Sequence, residues 1–260
     1  MADIVITDLT RMYGTRICIA GYTLLEGNPV KCIRPELNYD ALVESWLYSA
    51  EGVLRPFSVA DFTLLRPRPA PPHVEDWIVE RRYTLVTDFA PELVEPVMTL
   101  TCSASVREMY DGLAEYDHSW FVPARAETRS LGTIRPKRLV GLAHRWREER
   151  SKWDYRIGFD DESEERFWLP VTDLALRYFL DRRRVADHIG PIEAADAAFR
   201  LLNDGRTVFL RIGLTRPFGD FDRCFVQVTG VYTIPDYLDG KCHADFAPSR
   251  EDEPPVVVPF

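Results

Sequence analysis

The run DIVITDLTRMYGTRICIAGYTLLEGNPVKCIR, residues 3–34, decides the fold class. Its first seven residues alternate as a strand does, and a second strand-like run follows Tyr13-Gly14. Gly27-Asn28-Pro29 then turns the chain into Val30-Lys31-Cys32-Ile33-Arg34. Gly, Asn and Pro supply turn conformations that β-branched residues avoid, so this spacing predicts a meander of three strands. Working outward, residues 40–49 (DALVESWLYS) read as a short helix with Asp40 as its N-cap. Residues 58–65 read as another strand, RPRPAPPH (66–73) as an extended connector, and 84–89 as strand.

The second half opens with a strand over residues 131–142, then a basic, aromatic stretch over 144–153. Residues 155–159 and 166–169 flank the acidic DDESEE as a long hairpin. Helices follow at 173–184 and 192–202, the second stopped by Asn203-Asp204-Gly205, and strands at 208–214 and 224–232 close the unit. Residues 106–116 are helix or irregular, and the segment after Gly240 is poorly structured, with an apolar end able to dock on the body. Two sets of about five short strands, each interrupted by a helix, predict a mainly β chain of two OB-like barrels in tandem. The expected units are residues 1–128, with the Pro-rich connector, and 129–260, with the helical insertion and the tail.

Inside those units Arg-Pro pairs repeat. Ile33-Arg34-Pro35 recurs as Ile134-Arg135-Pro136, and Arg55-Pro56-Phe57 as Arg216-Pro217-Phe218. Pro fixes its own φ and holds the preceding residue extended, which leaves each guanidinium free to point outward from a strand end. Arg34, Arg55, Arg135 and Arg216 are therefore candidates for holding phosphates along a groove. The plainer reading pairs each with a nearby carboxylate such as Glu36, Asp61 or Asp220, and it stands slightly ahead for any one of them.

Composition narrows the function. A formal net charge of -9 argues against duplex binding driven by the field of the whole protein, while leaving room for a local basic groove. The five cysteines are odd in number and lack CxxC spacing, so reduced cysteines in a cytoplasmic protein are expected. The start lacks the pattern of a signal peptide and no apolar run approaches membrane-spanning length, so no membrane association is expected.

The local basic groove is best sought in residues 129–153. There Arg135, Lys137, Arg138, Arg145 and Arg147 stand among Trp146 and Trp153. Cations beside aromatic rings are what single-strand binding requires, since bases stack on rings while cations follow the backbone. A strand pair with buried Trp and a solvated charged face is the competing reading. Elsewhere, His73-x-Glu75 lacks the P-C-x-x-C pair of a zinc deaminase, so Trp77 is expected to plug the barrel instead. DDESEE reads as a solvated hairpin tip, Asp220 and Asp222 as turn residues, and Cys242-His243 as two ligands too few for zinc. With no P-loop, G-x-S-x-G or Rossmann glycines, no catalysis, cofactor or metal is expected.

The order of several motifs resembles the dual-OB-domain family of bacterial proteins. They are Gly14 to Gly21 with Lys31-Cys32-Ile33-Arg34-Pro35, then Pro72-His73-Val74-Glu75-Asp76-Trp77, Val171-Thr172-Asp173, Val208 to Leu214 running into Arg216-Pro217-Phe218, and Cys224 to Gly230. The resemblance implies two OB folds and a role in binding nucleic acid, single-stranded or structured DNA or RNA. It carries over no catalytic residue. Two alternatives stand beside it: a module docking a protein partner such as an effector enzyme, favoured by the net charge of -9, and a sensor of a nucleotide ligand.

Overall fold

The computed structural model describes residues 2–25, 28–217 and 222–248. In the first unit, alternation decides which side chains meet. Ile4, Ile6 and Leu9 leave the first strand on one face, with a register shift between Ile6 and Asp8 keeping Leu9 inward. They join Ile17, Ile19, Ile33, Ala60, Phe62 and Val79 in one buried cluster. Ala2–Arg11, Ile17–Leu25 and Asn28–Glu36 form the antiparallel meander. Asn28–Glu36 then pairs in parallel with Asp76–Asp88, which pairs with Ser58–Pro67, which returns to Ala2–Arg11 and closes a five-stranded barrel. Closure leaves the sheet with no free edge.

The second unit follows the same circuit with its first strand broken. Leu131–Ile134 pairs with Thr207–Leu214, and beyond Arg135-Pro136-Lys137 the chain resumes as Arg138–Arg147, paired with Lys152–Asp160. Pro136 cannot donate to a ladder, which suits the break. Arg166–Pro170 is the third strand, and Val171 bridges in parallel to Val228 on Arg223–Ile234, which pairs with Thr207–Leu214. Two helices lie between the third and fourth strands, Leu174–Ala186 and Pro191–Asn203. Asp173 caps the first of them, accepting from the Leu176 N–H at 2.8 Å and from Val231 N–H at 2.7 Å.

Several expectations shift. The expected boundary between residues 128 and 129 falls within the material of the second sheet, because Cys102–Ser103, Glu115–Asp117 and Ser119–Pro123 all pair into it. The helix expected at 40–49 is only the single 3-10 turn Glu44–Leu47, uncapped by any side chain. Of residues 84–89, all but Phe89 belong to the long strand Asp76–Asp88, and residues 106–116 hold the short helix Val106–Met109 before the strand Glu115–Asp117. The Arg-Pro repeats occupy non-equivalent places. Arg34-Pro35 lies in the third strand of its unit and Arg135-Pro136 at the break in the first. Arg55-Pro56 enters a fourth strand, whereas Arg216-Pro217 leaves one, and Phe218 lies outside the described residues. The circuit is duplicated; the tripeptides mark only that Arg-Pro suits extended strand ends.

Candidate nucleic-acid interface

An OB barrel offers the outer face of its second and third strands, with the loop joining the first two, to a ligand. In the first unit part of the meander's outer face is consumed by the junction with the second. Arg211 is 0% exposed, and its Nε donates to Asp8 Oδ2 at 3.0 Å. Its Nη1 donates to Tyr22 Oη at 2.8 Å and Thr133 Oγ1 at 2.9 Å, while Thr229 Oγ1 donates to the other Asp8 oxygen at 2.6 Å. One guanidinium and one carboxylate thus join Ala2–Arg11 and Ile17–Leu25 to three strands of the second sheet. Val5 packs with Phe209 in the same seam, under the helix Pro91–Leu100.

The connector PHVEDW completes the seam. Glu75 accepts from Ser130 N–H and Oγ, both at 2.8 Å, and from Leu131 N–H at 3.3 Å. Buried His73 lies 3.2 Å from the Thr215 carbonyl, and burial, reinforced by Arg34 and Arg216, pushes its pKa down to about 2. Trp77 packs only partly buried against the first core, with Lys31 Nζ 4.4 Å from its ring centre, so it edges the barrel.

The second unit leaves the corresponding face open. Directly opposed residues share a face, so the ladder places Arg138, Asp160 and Arg166 in one row and Gly141, Gly158 and Trp168 in the next. Ala143 with Arg156, Arg145 with Asp154, and Arg147 with Lys152 follow toward the hairpin tip. Leu139, Leu142, Ile157, Phe159, Phe167 and Leu169 fill the core on the opposite side. The two glycines make room for an indole: a Cβ on Gly158 would stand 1.8 Å from the Trp168 ring, and one on Gly141 would stand 2.9 Å from it. Trp168 therefore lies over the glycines and remains 42% exposed in the middle of the sheet.

On that face stand six cations against two carboxylates, in a chain of net charge -9. Asp154 accepts from Arg145 and Arg147 at 3.3 Å and from Arg156 at 3.2 Å. Asp160 accepts from Arg138 at 2.6 Å and from Arg166 at 2.8 Å, and those bonds, Arg166 first, hold its carboxyl well below the usual range. Each carboxylate orients more than one guanidinium, and positive charge remains in excess. Such an array pre-positions donors for anions spaced along a strand.

The sequence-derived candidates separate on this geometry. Arg138, Arg145 and Arg147 lie on the open face, whereas Trp146, opposed to Trp153, lies on the other face at the hairpin tip, 47% exposed and edge-on to Trp153. Trp153 is a support: it packs between His144, 4.6 Å away, and Arg184, whose guanidinium carbon lies 4.3 Å from its ring. Arg135 and Lys137 lie in a neighbouring cleft with Arg138. Arg34 is a correction, being 5% exposed and bonded through Nε to Asp76 at 2.6 Å inside the seam. Arg216 is tied to Glu36 and Asp76, and Arg55 to Asp88, with a further bond to the Gly240 carbonyl at 3.3 Å. The acidic tip is more structural than expected, since buried Asp161 accepts from Val106 N–H at 3.0 Å and from Ser163 within its own turn.

Trp168, Arg156 and Arg166 were not among those candidates. Their signal is the alternation Arg156-x-Gly158-x-Asp160 opposite Arg166-x-Trp168, which becomes legible only once the register is known. Arg211, alone among apolar residues in Val208 to Leu214, carries its own signal, because a lone cation in a core strand demands a buried partner.

A closed five-stranded barrel followed by a second, half-closed one on the same circuit defines a tandem OB-fold protein. Residues 3–231 match the family model of the dual OB-containing domain, and the chain belongs to that family. No curated protein and no solved structure matches it. No helix of the described residues is long and apolar enough to cross a membrane.

Proposed function

We propose that this chain is a non-catalytic nucleic-acid-binding protein that takes a single strand across the outer face of the sheet of residues 138–170. Bases stack on Trp168, and the arginines beside it follow the phosphates. The observation that carries this reading is Trp168, laid over Gly141 and Gly158 on the face that carries the six cations. An indole exposed there has no packing purpose that an aliphatic side chain would not serve, whereas stacking contributes about 1–3 kcal/mol per base. Family membership and the position of the face on strands two and three support it. The five free cysteines support work in a reducing compartment, the cytoplasm.

Anisotropy of labelled single-stranded DNA and RNA across a salt series tests the proposal. Binding should weaken as salt rises, with a log–log slope of about -0.7 per phosphate neutralised. Trp168→Ala should weaken it roughly 5- to 150-fold, matching one lost stack. Salt-insensitive binding, or binding untouched by Trp168→Ala and Arg156→Gln, would refute the assignment.

A further inference from the structure

The break in the first strand of the second unit opens a cleft that the sheet face does not use. It measures about 410 Å³, within the size of small-ligand sites, and lies where Arg135-Pro136-Lys137 meets the end of Pro191–Asn203 and the start of Thr207–Leu214. Four cations line it, Arg135, Lys137, Arg138 and Arg206, with Glu162 as the one carboxylate among its lining residues.

The surroundings of those cations suit an anionic ligand, although Arg138, Lys137 and Arg206 each also face a carboxylate. Arg206 is anchored, its Nη1 donating to the carbonyls of Leu201 at 3.0 Å and Asp204 at 3.1 Å, which are carbonyls left over at the helix end, and at 3.5 Å to the exposed Asp204 carboxylate. Its Nε is buried with no acceptor among the described residues. A buried donor without a partner calls for one, and here the donor belongs to a cationic wall. Arg135 is exposed and forms no ion pair among the described residues. Lys137 pairs with Glu164, but both are exposed, and such a pair contributes little and exchanges readily.

Cations from separate segments converging on one recess suit a compact group of high charge rather than a row of single charges. A terminal phosphate fits, with a charge of about -1.5 to -2 at neutral pH and three acceptor oxygens, against one charge on each internal diester. The cleft meets the open sheet at Arg138, which lines the first and stands on the second. We propose that this cleft binds the terminal phosphate of a nucleotide, either a free mononucleotide or the end of a strand lying on the sheet. The strand-end source rests on the function proposed above; the mononucleotide source does not.

The test uses the full chain and two sets of probes. Calorimetry follows adenosine 5′-monophosphate, adenosine and inorganic phosphate, and anisotropy follows one labelled single strand with phosphate or hydroxyl at its free 5′ end. The strand with the phosphate should bind about tenfold tighter, one charge-assisted contact's worth. Adenosine monophosphate should bind where adenosine does not, and more tightly than inorganic phosphate. Arg135→Gln with Lys137→Gln, both at exposed positions, should erase these preferences, while Trp168→Ala should weaken both strands and leave their ratio intact. Binding of the monophosphate without any strand would uphold the cleft and sink the strand reading. Strands that bind with no preference for a terminal phosphate, together with no binding of the monophosphate, would overturn the cleft alone. A preference that survives the double substitution would overturn it as well.

Discussion

Arg211 shows how much a single side chain can carry. Truncating one partner of a buried pair leaves the other charge unpaired in a medium that solvates it poorly, so Arg211→Met should destabilise the fold by about 3–5 kcal/mol. Adding Asp8→Val should recover part of that loss in urea unfolding, because no stranded charge would remain. The buried imidazoles act through pH. Burial lowers His73 to about 2 and His243 to about 4, both below the unfolded value. A base with a depressed folded pKa contributes stability that is complete above its unfolded pKa of about 6.5 and lost as pH falls toward the folded one. Unfolding should therefore take up protons below about pH 6.5, each imidazole lowering stability by up to about 1.4 kcal/mol per pH unit. For His243 the loss should level off near pH 4, while for His73 it should continue toward pH 2. Urea midpoints at pH 7, 5.5 and 4.5 would check this, and His243→Gln should flatten the curve.

At the scale of the element, the sheet of residues 138–170 is built around one indole and two glycines. Gly158→Ala should be as damaging to strand binding as Trp168→Ala, since its Cβ would claim the space of the ring without altering charge. Anisotropy at one fixed salt concentration would show it, and an alanine there that leaves affinity intact would mean the ring is not the platform. The sequence already placed this hairpin, its basic flank and Arg138, Arg145 and Arg147, because alternation and composition are local properties. It did not reveal which residues face each other. A ladder pairs residues on separate strands, so Trp168 meets Gly158 only through register, and register is fixed by core packing on the opposite face.

At the scale of the whole molecule, charge is distributed against its own sum. A chain of net charge -9 carries six cations and two carboxylates on one face, so its affinity for a single strand should depend on that face alone. Arg145→Gln with Arg156→Gln should reduce the salt slope by roughly 0.7 for each phosphate released, whereas Arg55→Gln, outside that sheet and bonded to Asp88, should leave it unchanged. Binding measured over a fourfold range of salt would separate the two outcomes. The sequence by itself determined the run of strands, the helices inserted before the fourth strand, and two OB-like units, since all of these follow from periodicity and turn chemistry along the chain. Only the tertiary structure decided which arginines are available. Arg34, Arg135 and Arg216 stand before proline alike, yet one is sealed beside Asp76, one opens into a cleft and one ties Glu36 and Asp76 together. The difference is the distance to a carboxylate from another strand, which chain spacing does not encode and packing does.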